Sequence, residues 1–228
     1  MKKTFQIAID GPVAAGKGTV AKLVAGRLKC LYVDTGAIYR SLTLLASRSG
    51  IDWENEEKMT DFVYEIKPVV DLSVPGEDEK DGRLSTVKIG GEDVSWLIRT
   101  EEISHGVGVV AQYKKVRVYV TEMARKIAKE QDVVMEGRDI TSVILPEAQL
   151  KIYMDAEAME RAKRRHGELM TRGEDVSLEK VYQELIARDE RDKRENLIKV
   201  PGVWVIDTTK LTIEEVVETI IKRVEEIK

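Results

Sequence analysis

The sequence predicts an α/β fold: a five-stranded parallel sheet covered by helices on both faces, with a small antiparallel insert. Three observations carry this. Five short runs are almost wholly apolar: Phe5–Asp10, Leu31–Asp34, Val133–Glu136, Leu150–Asp155 and Val203–Asp207. Continuous apolar runs of that length are what strands buried on both faces require. Amphipathic segments of helical length lie between them, and strands alternating with helices imply βαβ units. One stretch, Pro68–Val94, turns to apolar–polar alternation in two pieces, the period of antiparallel strands with one solvated face.

Taken in order, Phe5–Asp10 is the first strand and Gly18–Leu28 the helix that returns from it. Leu31–Asp34 is the second strand. The alternating pieces Val69–Val74 and Leu84–Ile89 form the insert, and Gly90-Gly91 supplies a two-residue hairpin turn. Between those pieces, Pro75–Gly82 is crowded with acidic residues and reads as a solvated loop. Val116–Glu130 and Glu157–Leu169 are the next amphipathic helices, flanking the strands at Val133 and Leu150. Gly167–Ser177 reads as an irregular link between two highly charged helices. The last helix, Thr212–Ile227, opens with Thr212 three residues before Glu215, the spacing of a capping box.

Composition narrows the function classes. The 37 Lys and Arg against 41 Asp and Glu leave a net charge of −4, which argues against a protein that coats nucleic acid. An anionic small molecule is still admissible, because a basic cleft can sit within an acidic protein. No run approaches 18 apolar residues, so no membrane span is expected. The apolar run after Met1-Lys2-Lys3-Thr4 is too short for a secretory signal. The single cysteine, Cys30, has no internal partner and suits a reducing, cytoplasmic location; its place at the mouth of an apolar strand predicts burial.

Gly11-Pro12-Val13-Ala14-Ala15-Gly16-Lys17-Gly18-Thr19 follows the first strand and opens a helix. It matches the G-x-x-x-x-G-K core of a phosphate-binding loop. Glycines let backbone N–H groups close around phosphate oxygens, the helix N-terminus adds its dipole, and Lys17 brings a mobile cation. Gly18 stands where many such loops carry a metal-binding Ser or Thr; the hydroxyl comes one residue later, at Thr19. The Gly-Lys-Gly-Thr variant resembles nucleoside monophosphate kinases.

After the second strand comes Asp34-Thr35-Gly36-Ala37-Ile38-Tyr39-Arg40. A strand end of this kind lifts Asp34 and Thr35 to the carboxyl edge of the sheet, where open α/β folds bind ligands. The heptapeptide resembles the Asp-Ser/Thr-Gly-Ala-Ile-Tyr-Arg signature of bacterial cytidylate kinases, and the similarity continues along the whole chain. Glu92-Asp93-Val94 with Ile98-Arg99-Thr100, Val116-Arg117, Glu136-Gly137-Arg138-Asp139-Ile140, Arg188-Asp189-Glu190-Arg191-Asp192 and Ile206-Asp207-Thr208-Thr209 match that family's segments in order.

That resemblance implies a three-layer P-loop kinase fold with a helical lid. Residues 1–40 and 103–228 would form the core, with the lid at about 156–176. Residues 41–102 would form the acceptor-binding region, carrying the insert at about 68–95. It implies transfer of the γ-phosphoryl group of ATP to CMP or dCMP, with Mg²⁺ held mainly by nucleotide phosphates and water, by a monomer that binds neither nucleic acid nor membrane.

Residues 11–19 would hold ATP. The acceptor would lie among Asp34, Thr35, Tyr39, Arg40, Arg117, Arg138, Asp139, Arg188 and Asp192. Arg117 and Asp139 would read the base, Arg40 and Arg138 the acceptor phosphate, Arg188 and Asp192 the ribose. The chemistry is consistent, since cytosine offers an amine donor to a carboxylate and ring acceptors to a guanidinium.

Lys17, Arg138, Arg161 and Arg165 would supply cations to the transferring group. Arg161 and Arg165 are four apart on one helical face with Arg164 beside them, a cluster that repels itself unless solvent or an anion intervenes. His105 and His166 lack metal-ligand spacing and read as structural or solvent-facing.

Two positions depart from the family. Gly108 stands where a serine contributes to the ribose site; either one sugar contact is missing or made by water, or the backbone there needs a positive φ. Glu195 stands where many members carry a phosphate-binding arginine, with Arg194 one residue earlier. A kinase for UMP or AMP, or an ATP-binding switch without turnover, are the alternatives.

Overall fold

The computed structural model describes the chain apart from residues 1–3, 80, 84, 172 and 196, and apart from the side chains of Glu77, Lys193 and Glu195. Leu84, the expected first residue of an insert strand, thus lies outside the described residues. Five strands form one sheet in the order β2-β6-β1-β7-β8: β2 Leu31–Asp34, β6 Val133–Gly137, β1 Gln6–Asp10, β7 Leu150–Asp155 and β8 Trp204–Asp207. These are the five apolar runs of the sequence, within one residue at each end. Ile7 to Asp10 pair in parallel with Leu150 to Tyr153, and Ile152 to Asp155 with Trp204 to Asp207.

The chain divides into two units, residues 5–29 with 134–228 and residues 1–4 with 30–133. In the former, β1 is buried from Ile7 through Asp10, as a strand covered on both faces must be. Helices α1 (Lys17–Leu28) and α8 (Ile213–Ile227) pack together, and Arg27 on the first pairs with Glu214 and Glu218 on the second. Val216, Ile220 and Val224, four apart, form the buried stripe of α8. Its start carries the expected capping box, with the Thr212 hydroxyl accepting from the Glu215 N–H and the Glu215 carboxylate accepting from the Thr212 N–H. Helices α6 (Ala158–Thr171) and α7 (Leu178–Glu195) pack as a pair. Gly167 is an interior residue of α6, so helix replaces the expected irregular link as far as Thr171. The charged side chains there favour helix, and one solvated glycine does not outweigh them.

In the other unit, α2 (Thr35–Arg48), α3 (Glu56–Ile66), α4 (Glu101–Val110) and α5 (Lys114–Glu130) surround buried Ile38, Leu42, Met59, Ile98 and Ile103. The α5 stripe Val116, Val120, Ala124 and Ala128 has helical spacing. The insert is an antiparallel sheet of β3 (Val70–Ser73), β4 (Thr86–Ile89) and β5 (Glu92–Asp93). Ile89 faces Glu92 across Gly90-Gly91, whose φ values of 57° and 86° are those of the predicted tight hairpin turn. Cys30 is half-buried rather than buried: it follows Lys29, a left-handed helix end, and precedes the strand proper. No described helix is long and apolar enough to cross a membrane.

Candidate active site

The loop between β1 and α1 is shaped by backbone constraints. A Cβ on Gly11 would lie 2.0 Å from the Met154 carbonyl oxygen of β7, so no other residue fits there. Ala14 (φ 58°) and Gly16 (φ 85°) are left-handed, which bends the chain into a concavity suited to anions. Alanine adopts that conformation at a cost, and such strain tends to persist where function uses it. Lys17 starts α1 and folds back so that its Nζ donates to the Pro12 carbonyl at 2.8 Å. Its side chain is buried. Burial, and then the charge of Arg138, push its ammonium down from 10.5 to about 7, against the pull of Glu136, Asp10 and Asp192. An arriving polyphosphate would reverse that balance, because negative charge favours the protonated amine.

Arg138 and Asp139 follow β6. Arg138 Nε donates to Asp192 Oδ2 at 2.6 Å, bringing together two residues read from segments 54 positions apart. Asp139 is buried and begins a π-helical turn, Ile140–Ile144. That turn is held by Asp10, whose carboxylate accepts from the N–H groups of Ile140 and Thr141 and from the Thr141 hydroxyl. Burial pushes the Asp10 carboxyl up, while those hydrogen bonds and Lys17 draw it back. The sequence marked Asp10 only as a strand end.

The three arginines of α6 have separate partners. Arg161 is buried, with its Nη1 and Nη2 on both carboxylate oxygens of Asp189 at 3.1 and 2.6 Å. Its Nε donates to the Ala156 carbonyl and its Nη1 also to that of Val13 in the phosphate loop. Arg164 reaches the Thr208 carbonyl at 2.6 Å, and the Thr208 hydroxyl donates to the Ala15 carbonyl. Arg165 pairs with Glu168 at the surface. The expected mutual repulsion is thus relieved, by Asp189 and backbone carbonyls at Arg161, by Thr208 at Arg164 and by Glu168 of the same helix at Arg165. Asp189 was legible inside its motif but carried no assigned role; its signal was an acid between Arg188 and Asp192 on a charged helix. On α7, Arg188 is exposed four residues before Asp192, and the Glu195 side chain lies outside the described residues.

The other unit gathers Asp34, Thr35, Tyr39 and Arg40 at the start of α2. Arg40 Nη2 donates to Asp34 Oδ2 at 2.6 Å. Asp34 occupies the N-cap position yet makes no side-chain cap bond, so the carboxylate serves the guanidinium instead. Gly36 permits this: a Cβ there would lie 2.9 Å from Asp34 Oδ1 and 3.2 Å from Arg40 Nη1. Thr35 and Tyr39 are buried. Arg117, half-buried on α5, donates to the Ala111 carbonyl at 3.1 Å. Gly108 is helical, without positive φ, and a Cβ there would meet open space, which removes the backbone explanation for this glycine. His105 packs edge-on to Trp53, and a ring nitrogen of His166 lies 2.9 Å from the Val176 carbonyl.

Comparison with known proteins adds the family. The cytidylate kinase family model matches residues 7–226. Cytidylate kinases of Bacillus thuringiensis (strain Al Hakam) and Bacillus anthracis (strain CDC 684 / NRRL 3495) are each 42% identical over 223 residues, covering 96% of this chain and 96% of theirs. Among solved structures, an uncharacterized protein from Eubacterium ventriosum superposes with a TM-score of 0.53 at 13% identity, covering 97% of this chain and 99% of its own, a likeness of fold alone.

Proposed function

The chain belongs to the cytidylate kinase family, and from that premise we propose how its residues divide the work. The reaction is ATP + CMP ⇌ ADP + CDP, and dCMP is a second acceptor in this reading. The observation that carries it is Lys17: a buried ammonium at the head of the phosphate loop, pushed down by burial and by Arg138. The charge of Arg138 opposes that of Lys17, and an anion bound beside them would relieve both. A phosphoryl group passing from donor to acceptor supplies that anion, and its charge is largest in the transition state.

In this reading residues 11–19 hold the ATP phosphates. Arg138 holds the acceptor phosphate and Arg40 assists, with Asp34 orienting the Arg40 guanidinium. Asp139 and Arg117 read the cytosine edge, and Thr35 and Tyr39 contribute to acceptor binding. Arg188 and Asp192 hold the ribose. The Arg138–Asp192 pair ties phosphate and sugar recognition together. Residues 41–102 form the acceptor-binding region. Residues 156–176 form the lid, from which Arg165 is the cation available to the transferring group. Arg161, committed to Asp189 and Val13, acts by positioning the loop.

ATP brings a divalent cation whose charge offsets that of the phosphates. In this reading that cation is held mainly by the nucleotide phosphates and water. The acceptor phosphate oxygen attacks the γ-phosphorus in line, and the chain contributes orientation, charge and exclusion of water. Only one chain is needed.

Coupled-assay turnover with CMP, dCMP, UMP, AMP and GMP tests this reading. CMP and dCMP should lead. A lead for UMP or AMP would move the base assignment, and ATP binding without turnover on any acceptor would make the protein a switch.

A further inference from the structure

Asp10 is the last residue of β1, directly before the phosphate loop, and has no solvent exposure. Its Oδ1 accepts from the Ile140 N–H at 2.8 Å; its Oδ2 accepts from the Thr141 N–H at 2.8 Å and the Thr141 hydroxyl at 2.6 Å. Those two N–H groups belong to the first residues after Arg138-Asp139. The turn that follows is π-helical: Ile144 N–H donates to the Asp139 carbonyl and Leu145 N–H to that of Ile140, five residues back in each case. A π turn is rare, makes few bonds of its own and leaves its leading N–H groups unpaired. Here a carboxylate 130 residues away in sequence pairs two of them.

The demand is specific to a carboxylate. Three donors converge on one buried side chain, and only two acceptor oxygens on one carbon satisfy them all. An amide would present an NH₂ to an N–H, leaving a buried donor facing a donor. From this geometry we infer that Asp10 is a positioning residue for the acceptor nucleotide, fixing Arg138 and Asp139 in register with the phosphate loop that Asp10 itself begins. The inference rests on the reading of Arg138 and Asp139 as acceptor contacts. It gives the two substrates a shared reference point: β1 sets the loop, and the residue ending β1 sets the turn.

Thr141 separates this role from a merely structural one, because Thr141→Val removes the shortest of the three bonds while leaving the Asp10 charge beside Lys17 in place. Steady-state kinetics with CMP and ATP varied separately, together with melting temperatures, should be run on Thr141→Val, Thr141→Ser, Asp10→Asn and Asp139→Ala. Thr141→Val should raise KM for CMP about five- to tenfold, the effect of one buried hydrogen bond, with KM for ATP within about twofold of the parent. Thr141→Ser, which keeps the hydroxyl, should restore parental values. Asp10→Asn should raise KM for CMP further and lower kcat. If Asp139→Ala impairs CMP use while Thr141→Val shifts only the melting temperature, or raises both KM values alike, the role of Asp10 is overturned and the acceptor site stands. If Asp139→Ala leaves CMP use intact, the acceptor reading fails and the inference falls with it.

Discussion

Replacing Arg161 by methionine would leave the Asp189 carboxylate, whose side chain is 8% exposed, without its guanidinium. Arg161 itself is only 5% exposed and makes four hydrogen bonds: two to Asp189, one to the Ala156 carbonyl and one to that of Val13. Removing one member of a buried pair costs about 3–5 kcal/mol, because the other charge stays desolvated. For a chain of this size each kcal/mol moves the melting temperature by about 2–4 °C, so Arg161→Met should melt about 6–20 °C lower. Adding Asp189→Leu removes the orphaned charge and should recover at least half of that loss. Turnover should stay low in both variants, since neither restores a donor to the Val13 carbonyl. Arg165→Ala is the control: Arg165 is half-buried and its partner Glu168 exposed, in a surface pair, so stability should change by no more than about 0.5 kcal/mol, and any lost turnover reports chemistry. Thermal melts and coupled-assay turnover on the four proteins decide the matter. A single variant melting within about 2 °C of the parent, or a double variant melting no higher than the single, would refute the stabilising role of the buried Arg161–Asp189 pair.

Three further outcomes follow from the same geometry. Lys17→Met should abolish most turnover yet stabilise the ligand-free protein. The buried ammonium is penalised in full below about pH 7 and relieved as pH rises toward 10.5, so the gain in melting temperature should be largest at pH 6 and shrink by pH 10; a gain independent of pH would refute this. Gly36→Ala should preserve the fold, because only side-chain ends must move, but should part Asp34 from Arg40 and raise KM for CMP; unchanged CMP kinetics would detach that pair from the acceptor site. Gly108→Ser should be tolerated, as the position is helical and open, and should tighten CMP by about one hydrogen bond, or 0.5–1.5 kcal/mol; titration of CMP binding against the parent measures it, and unchanged affinity removes Gly108 from the sugar site.

The sequence by itself determined those features whose physics is local. Five apolar runs had to be strands, though at the sheet edge β8 buries only Ile206 and leaves Val205 exposed; Thr212 and Glu215, three apart, had to cap a helix; Gly90-Gly91 between alternating residues had to turn. The phosphate loop was legible for the same reason, since glycines, lysine and helix start are contiguous. The residues proposed for the acceptor were legible only as motifs, because their chemistry depends on partners that no spacing announces. Arg161 looked like an exposed cation in a basic cluster, and the structure sends it inward to Asp189, 28 residues on. Asp10 looked like the end of a strand, and the structure makes it the support of a turn 130 residues later. Tertiary structure alone settled these pairings, as it settled the sheet order β2-β6-β1-β7-β8 and the half-exposure of Cys30. A hydrogen bond needs its partners within about 3 Å with the right angle. For residues adjacent in sequence the backbone guarantees that approach, whereas for distant ones only the packing of the strands between them does.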